Sequence, residues 1–383
     1  MARDAMIAGI GATPPVRRSD RGIRPLVVEA CLAALADAGL DPAEVDGMVC
    51  DTMIMPMTVP QEYVAAQLGI ERRFSAGSSW GGAGNACMPL VAREAIRAGR
   101  AEVVLCYFGV DWGSRPGGPY AFHDLFPAKS AFEKPSGFVG QPAYFALWAN
   151  RYRHDYGLAE EDLGRIAVNQ RANALRNGGG QLGRPLSLDD YLASPVVADP
   201  LRVADCCLIS DGACAFVVTT AERARDLRQR PVAVLGGAFA SEPVNVDDVF
   251  TQPADLLRFG AARRAAERGL GEAGLAHGDV DLLQLYDCFT VSCLLQVEDL
   301  GFCAKGEAAA FMRETGTTID GGLPINTHGG LLAHSYLLGV EHVVEAVRQL
   351  RGAAGAAQVA GAEVAMVSGL SMPDFGVLLL GRA

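Results

Sequence analysis

The sequence predicts an α/β protein built from two duplicated βαβαβ halves, and three observations predict it. Short apolar runs alternate with segments whose apolar residues recur at helical spacing, the pattern of a mostly parallel sheet covered by helices. The phrase LADAGLDPAEVDGMVCD (35–51) returns as LGEAGLAHGDVDLLQLYD (270–287), with Gly39 matching Gly274 and Val45-Asp46 matching Val280-Asp281. RAEVVLCYFG (100–109) is echoed in the same order by GAEVAMVSGL (361–370). A repeat this long is a domain duplication, not a solenoid. It places one half at 1–225 and the other at 226–383.

The elements follow in order. Ala5–Gly11 is apolar with a Gly-rich exit and reads as a strand. Pro25–Ala38 carries apolar residues at helical spacing and stops at Gly39, a C-terminal cap. Val45–Cys50 is a short second strand, Met88–Arg100 a helix and Ala101–Gly109 a buried strand. The second half opens with a strand at Pro231–Gly237 and a helix at Ala261–Ala273. Within the first half, about 110–195 is less regular and rich in Gly, Pro and aromatics (Trp112, Tyr120, Phe126, Phe138, Tyr144, Trp148). Loops that long usually cover something, so this segment reads as an insertion over the active site. Its aromatics suit a bulky steroid or aryl group, or the core.

Composition narrows the function. The 383 residues carry a net charge of −11, which argues against nucleic acid and against an anionic membrane surface. There is no run of about 18 apolar residues to span a bilayer. The N-terminus enters a strand-like segment without a signal-peptide core. The ten cysteines sit largely in apolar stretches, as buried thiols of a reducing cytosol do. Their spacing lacks the paired C-x2-C of a zinc site, so no metal is expected.

Four phrases carry a resemblance. CCLISDGACAFVV (206–218), LYDCFT (285–290), LPINTHGGLLAHSY (323–336) and VSGLS (367–371) resemble, in the correct order, the SDGA, NEAF or HDCF, N-GG…GHP and C-x-G phrases of the thiolase superfamily. The likeness covers essentially the whole chain and implies the thiolase fold, a layered αβαβα core. The departures say more. Counting back from Ile96-Arg97-Ala98-Gly99, the thiolase nucleophile position falls on Gly81 or Gly82, which have neither thiol nor hydroxyl. Cys87 lies further along, within the helix. Without a nucleophile, acyl transfer through a covalent acyl-enzyme cannot operate. Tyr286 replaces the Asn of the NEAF phrase, Ser368 replaces the C-x-G cysteine with Gly369 kept, and His334 is read as the His of GHP. This set is similar to the thiolase-like lipid-transfer-protein aldolases, which cleave steroid side chains from β-hydroxyacyl-CoA thioesters by retro-aldol reaction. The resemblance implies catalysis by tyrosines at Tyr286 and Tyr336. It further implies a homodimer and a small OB-fold, zinc-ribbon partner completing a heterotetramer, with CoA bound only as part of the substrate.

A retro-aldol needs a base for the β-hydroxyl proton, a site for the enolate oxygen and an acid for its carbon. The expected site is Tyr286 and Tyr336 as base and acid, with His334 tuning or relaying to Tyr336. Gly81, Gly82, His328, Ser368 and Gly369 are expected around the thioester, the glycines holding its oxygen through backbone N–H groups. A tyrosine acting as base is expected to need a depressed pKa. Asp287 is expected to brace backbone. Two other readings compete: an acyltransferase using an unrecognised nucleophile such as Cys87, and a non-catalytic acyl-CoA or lipid carrier.

Overall fold

The computed structural model describes residues 4–383 except 52–58, 80, 120–126, 128, 139, 245–250, 252 and 254. Its described residues build one nine-stranded mixed sheet. The first five strands are β1 (Ala5–Ala12), β2 (Gly47–Asp51), β3 (Phe74–Ser78), β4 (Val103–Asp111) and β5 (Asp211–Thr220). The other four are β6 (Val232–Ser241), β7 (Leu282–Gln284), β8 (Val364–Ser371) and β9 (Asp374–Arg382). Their order is β3-β2-β4-β5-β1-β6-β9-β8-β7.

That order contains the duplication. Read inward, β2-β4-β5-β1 corresponds strand for strand to β7-β8-β9-β6. A parallel bridge between Leu283 and Ile325 stands where β3 pairs with β2. The two sets meet edge to edge, with β1 antiparallel to β6 through Met6–Ala233 and Ile7–Val232.

The longer helices among the described residues are α1 (Ile23–Ala38), α2 (Gly81–Arg97), α3 (Gln141–Tyr156), α4 (Glu160–Asn177), α5 (Gly260–Ala273), α6 (Thr290–Asp299) and α7 (Val340–Arg351). Helix α1 packs on β1, β5 and β4, and α5 on β6 and β9, while α2 and α7 pack on strands of both sets. The result is the layered thiolase fold. Gly39 and Gly274 end α1 and α5 in the left-handed conformation, so the repeated LxxAGL phrase is a repeated helix stop.

Close approach of α2 to the sheet depends on glycine. A Cβ at Gly369 would lie 1.9 Å from the Gly82 carbonyl oxygen, and one at Gly376 would lie 2.7 Å from that of Ala83. The segment 110–195 is more regular than its composition suggests, because it holds α3 and α4. Tyr144, Phe145, Trp148 and Tyr152 form the buried stripe of α3. Phe145 stacks on Phe289 with ring centres 4.2 Å apart, and Trp148 meets Phe259 edge-on. These aromatics belong to the core, as does Trp112, while Phe138 is partly buried against it. Tyr120 and Phe126 lie outside the described residues.

Candidate active site

The site assembles where three loops meet the first turn of α2. The LYDCFT loop leaves β7, the NTHGG loop follows the Ile325 bridge, and CCLIS precedes β5. Asn326, at φ 50°, ties the first two together. Its Oδ1 accepts from the Leu285 N–H at 2.6 Å and its Nδ2 donates to the Leu285 carbonyl at 2.9 Å. Asp287 accepts from the Leu331 N–H at 2.8 Å and so braces backbone, as expected. The third loop docks by hydrogen bonds from Cys207 N–H to the Cys288 carbonyl and from Leu208 N–H to the Leu331 carbonyl.

This frame brings Tyr286 and Tyr336 together. Their hydroxyl oxygens lie 3.0 Å apart in a hydrogen bond, with the rings edge to face. Tyr286 is buried and Tyr336 partly exposed, beside partly exposed Cys207. Tyr286 occupies the space a side chain at position 82 would take: a Cβ at Gly82 would lie 2.3 Å from Tyr286 Cε2. The absent nucleophile and the added tyrosine are therefore one change of shape.

Both phenols are held well above the ordinary tyrosine pKa. Burial is the main cause in each; for Tyr286 the neighbouring Tyr336 follows, and for Tyr336 the Cys207 and Cys288 thiols. The expected depressed base is thus not present: among the described residues no cation counts among the causes that shift the pair, and desolvation favours the neutral form.

Other residues sit differently from their expected roles. The Gly81 N–H donates to Asp51 Oδ2 at 2.6 Å and so is not free for a thioester oxygen. Ser368 stands behind Tyr286, its Oγ accepting from the Tyr286 N–H at 3.2 Å and donating to Gln296 Oε1 at 2.7 Å. Gln296 in turn donates to the Tyr286 carbonyl at 2.8 Å. Ser368 is a brace, and Gly369 serves the approach of α2. His334 turns away from Tyr336: its Nδ1 meets Ser335 Oγ at 2.8 Å and its ring lies 4.8 Å from that of His328. His334 has helical backbone at the end of the short helix Gly330–Ala333 and not the extended backbone that would put residues two apart on one side, so proximity in sequence does not put it at the phenols. His328 and His334 line a separate cavity of about 380 Å³ together with Glu341, Glu345 and Arg348. Burial first, then Arg348, lowers His334 to about 4.

Cys87 is buried against Ala238, and burial, then Asp374, pushes its thiol up to about 12. A thiol so held supplies no thiolate near neutrality, which disfavours an acyltransferase built on it. Sequence reasoning missed Ser210, Ser292, Gln296 and Asn326, buried polar residues whose partners only the fold reveals. Ser210 Oγ accepts from the Tyr336 N–H at 2.8 Å. Among the described residues no group of three His, Cys, Asp or Glu is arranged to hold a metal. No described helix is long and apolar enough to cross a membrane.

A thiolase fold whose nucleophile position is glycine, with two hydrogen-bonded tyrosines in front of it, defines a thiolase-like enzyme without a covalent acyl-enzyme. Comparison with known proteins agrees. Residues 245–376 match a family model described as thiolase C-terminal domain-like. The chain is 37% identical to a 17-hydroxy-3-oxo-4-pregnene-20-carboxyl-CoA lyase of Mycobacterium tuberculosis, over 99% of this chain and 100% of that one. It is 37% identical to a steroid side-chain-cleaving aldolase of Thermomonospora curvata, over 98% and 97%. A solved Ltp2-ChsH2(DUF35) aldolase superposes with a TM-score of 0.88 at 35% identity, covering 99% of this chain and 98% of that one. The chain belongs to the thiolase superfamily and, within it, to the acyl-CoA aldolases, which are carbon–carbon lyases.

Proposed function

We propose that this protein cleaves a β-hydroxyacyl-CoA with a steroid side chain by retro-aldol reaction, using Tyr286 and Tyr336 as one neutral proton shuttle. The observation that carries this is their 3.0 Å hydrogen bond in front of Gly82. The substrate β-hydroxyl gives its proton to the oxygen of one tyrosine. That tyrosine's own proton passes along the hydrogen bond to the second, whose proton goes to the α-carbon. As the Cα–Cβ bond breaks, the β-carbon becomes a ketone or aldehyde and the thioester enolate becomes the shorter acyl-CoA. Both tyrosines begin and end protonated, which suits groups whose burial penalises charge. Gly82, in the first turn of α2 where backbone N–H groups lack intrahelical acceptors, is placed to hold the enolate oxygen.

A steroid side chain is favoured by the substrate named for the mycobacterial relative. The DUF35 component of the similar solved aldolase supports a partner of the OB-fold, zinc-ribbon type for this chain. The open edge strand β3 supports a homodimer, within a cytosolic heterotetramer.

The test is to co-express the chain with such a partner and supply steroid β-hydroxyacyl-CoAs, following products by mass detection. A shorter acyl-CoA plus a carbonyl product, with the protein's intact mass unchanged, is the expected result. A stable acyl adduct, or acyl transfer to free CoA, would contradict it.

The raised phenol pKa values set a pH dependence. The shuttle needs both protons, so kcat holds a plateau from about pH 8 to beyond the ordinary tyrosine value near 10, then falls. A tyrosinate base would instead make the rate climb about tenfold per unit toward pH 10. A pH–rate profile of single turnovers separates the two.

A further inference from the structure

Helix α7 begins behind the tyrosines and carries buried acids that the shuttle does not use. Glu341 is 3% exposed. Its Oε1 accepts from the Leu337 N–H at 2.7 Å and from Ser335 Oγ at 3.4 Å. These are the residues on either side of Tyr336. We propose that Glu341 is a positioning residue for the aldolase reaction, its carboxylate holding both neighbours of Tyr336 so that this phenol stays on Tyr286. The inference rests on the tyrosine shuttle.

Three features single out Glu341. Tyr336 lies on a loop and not a helix, so its placement depends on such side-chain anchors; its own N–H uses Ser210. The second carboxylate oxygen of Glu341 is buried without a hydrogen-bond partner, as are both ring nitrogens of His328. Both residues line the 380 Å³ cavity.

The groups facing Glu341 can be taken element by element. From α7 come His342, Glu345 and Arg348; from the NTHGG-to-Tyr336 loop come His328, His334 and Tyr336; from the LYDCFT loop comes Asp287; and from β5 comes Cys214. Glu345 is committed to Thr327, Gln349 and Arg348. Burial, as the largest cause, raises the Glu341 carboxyl to about 7, with His342 acting in the opposite sense. Below that pH the clamp is a neutral acid. Above it the clamp is a carboxylate, whose bond from the Leu337 N–H is about twice as strong. The kcat of the wild-type protein should therefore rise several-fold through about pH 7 and then reach its plateau.

The experiment compares wild type, Glu341→Ala, Glu341→Gln and Tyr336→Phe, each with its partner protein, a steroid β-hydroxyacyl-CoA and a melting curve. Glu341→Ala loses the anchor and should lower kcat about 10²-fold with KM unchanged. Glu341→Gln keeps an oxygen for the Leu337 N–H, so it should restore most of that loss and lack the inflection near pH 7. An inflection that persists in Glu341→Gln, or wild-type kcat in Glu341→Ala, overturns the proposal. Should Glu341→Ala not fold, the Glu341→Gln profile decides alone. Full activity in Tyr336→Phe would overturn the shuttle instead, a failure distinct from the first.

Discussion

Replacing either Tyr286 or Tyr336 by Phe should lower kcat by about 10²- to 10⁴-fold, the range for losing a positioned proton donor or acceptor. Each change removes one oxygen and one proton from a two-membered chain and leaves ring packing intact. Because the oxygens share one hydrogen bond, the losses should not add. The Tyr286→Phe, Tyr336→Phe double variant should be about as slow as the slower single one. Single-turnover rates with a common substrate check this, and additive losses would mean that the tyrosines act separately. KM should change little, since phenylalanine preserves the walls of the site.

Gly82 carries the second large effect. In Gly82→Ala the new Cβ would lie 2.3 Å from Tyr286 Cε2 and 2.7 Å from the Leu370 carbonyl oxygen. The carbonyl belongs to β8 and yields little, so the ring must move. Displacement of a reacting group by about 1 Å is worth about 10²-fold in rate, and overpacking costs about 1–3 kcal/mol of stability. Gly82→Cys should fare no better. It restores a thiol at the thiolase position, but Tyr286 already fills that space, so no acyl-enzyme should accumulate on intact-mass analysis. Gly183→Ala, where nothing lies within 4 Å, is the control and should match wild type in rate and melting temperature. A Gly82→Ala protein with undiminished kcat would show that Tyr286 can act from another position.

Much of this protein is legible in its sequence because the relevant signals are local or repeated. The recurring LxxAGL phrase encodes a helix stop wherever it occurs, and Gly39 and Gly274 both adopt the left-handed cap. Glycine at 81 and 82 excludes a nucleophile whatever the fold, since no backbone arrangement supplies a missing sulfur. The insertion was harder to read: Tyr144, Phe145, Trp148 and Tyr152 recur at helical spacing, yet the surrounding Gly and Pro masked α3.

The site's finer assignments depend on the tertiary structure. His334 and Tyr336 are two residues apart, but one enters the cavity with His328 while the other reaches Tyr286, fifty residues away. Which way a loop side chain turns is set by the elements packed on each side, and loop sequence carries no period from which to read it. Ser368 and the Gly81 N–H looked available to substrate until register placed Tyr286, Gln296 and Asp51 against them. The sequence by itself determined the fold, the duplication and the loss of the covalent route, because these rest on residue identity, local periodicity and the resemblance of its phrases to those of thiolases. Only the tertiary structure decided that the two tyrosines form a hydrogen-bonded pair, that Ser368 braces one and that Glu341 stands behind the other. Those are hydrogen bonds between distant segments, and burial leaves each polar group few partners to choose from.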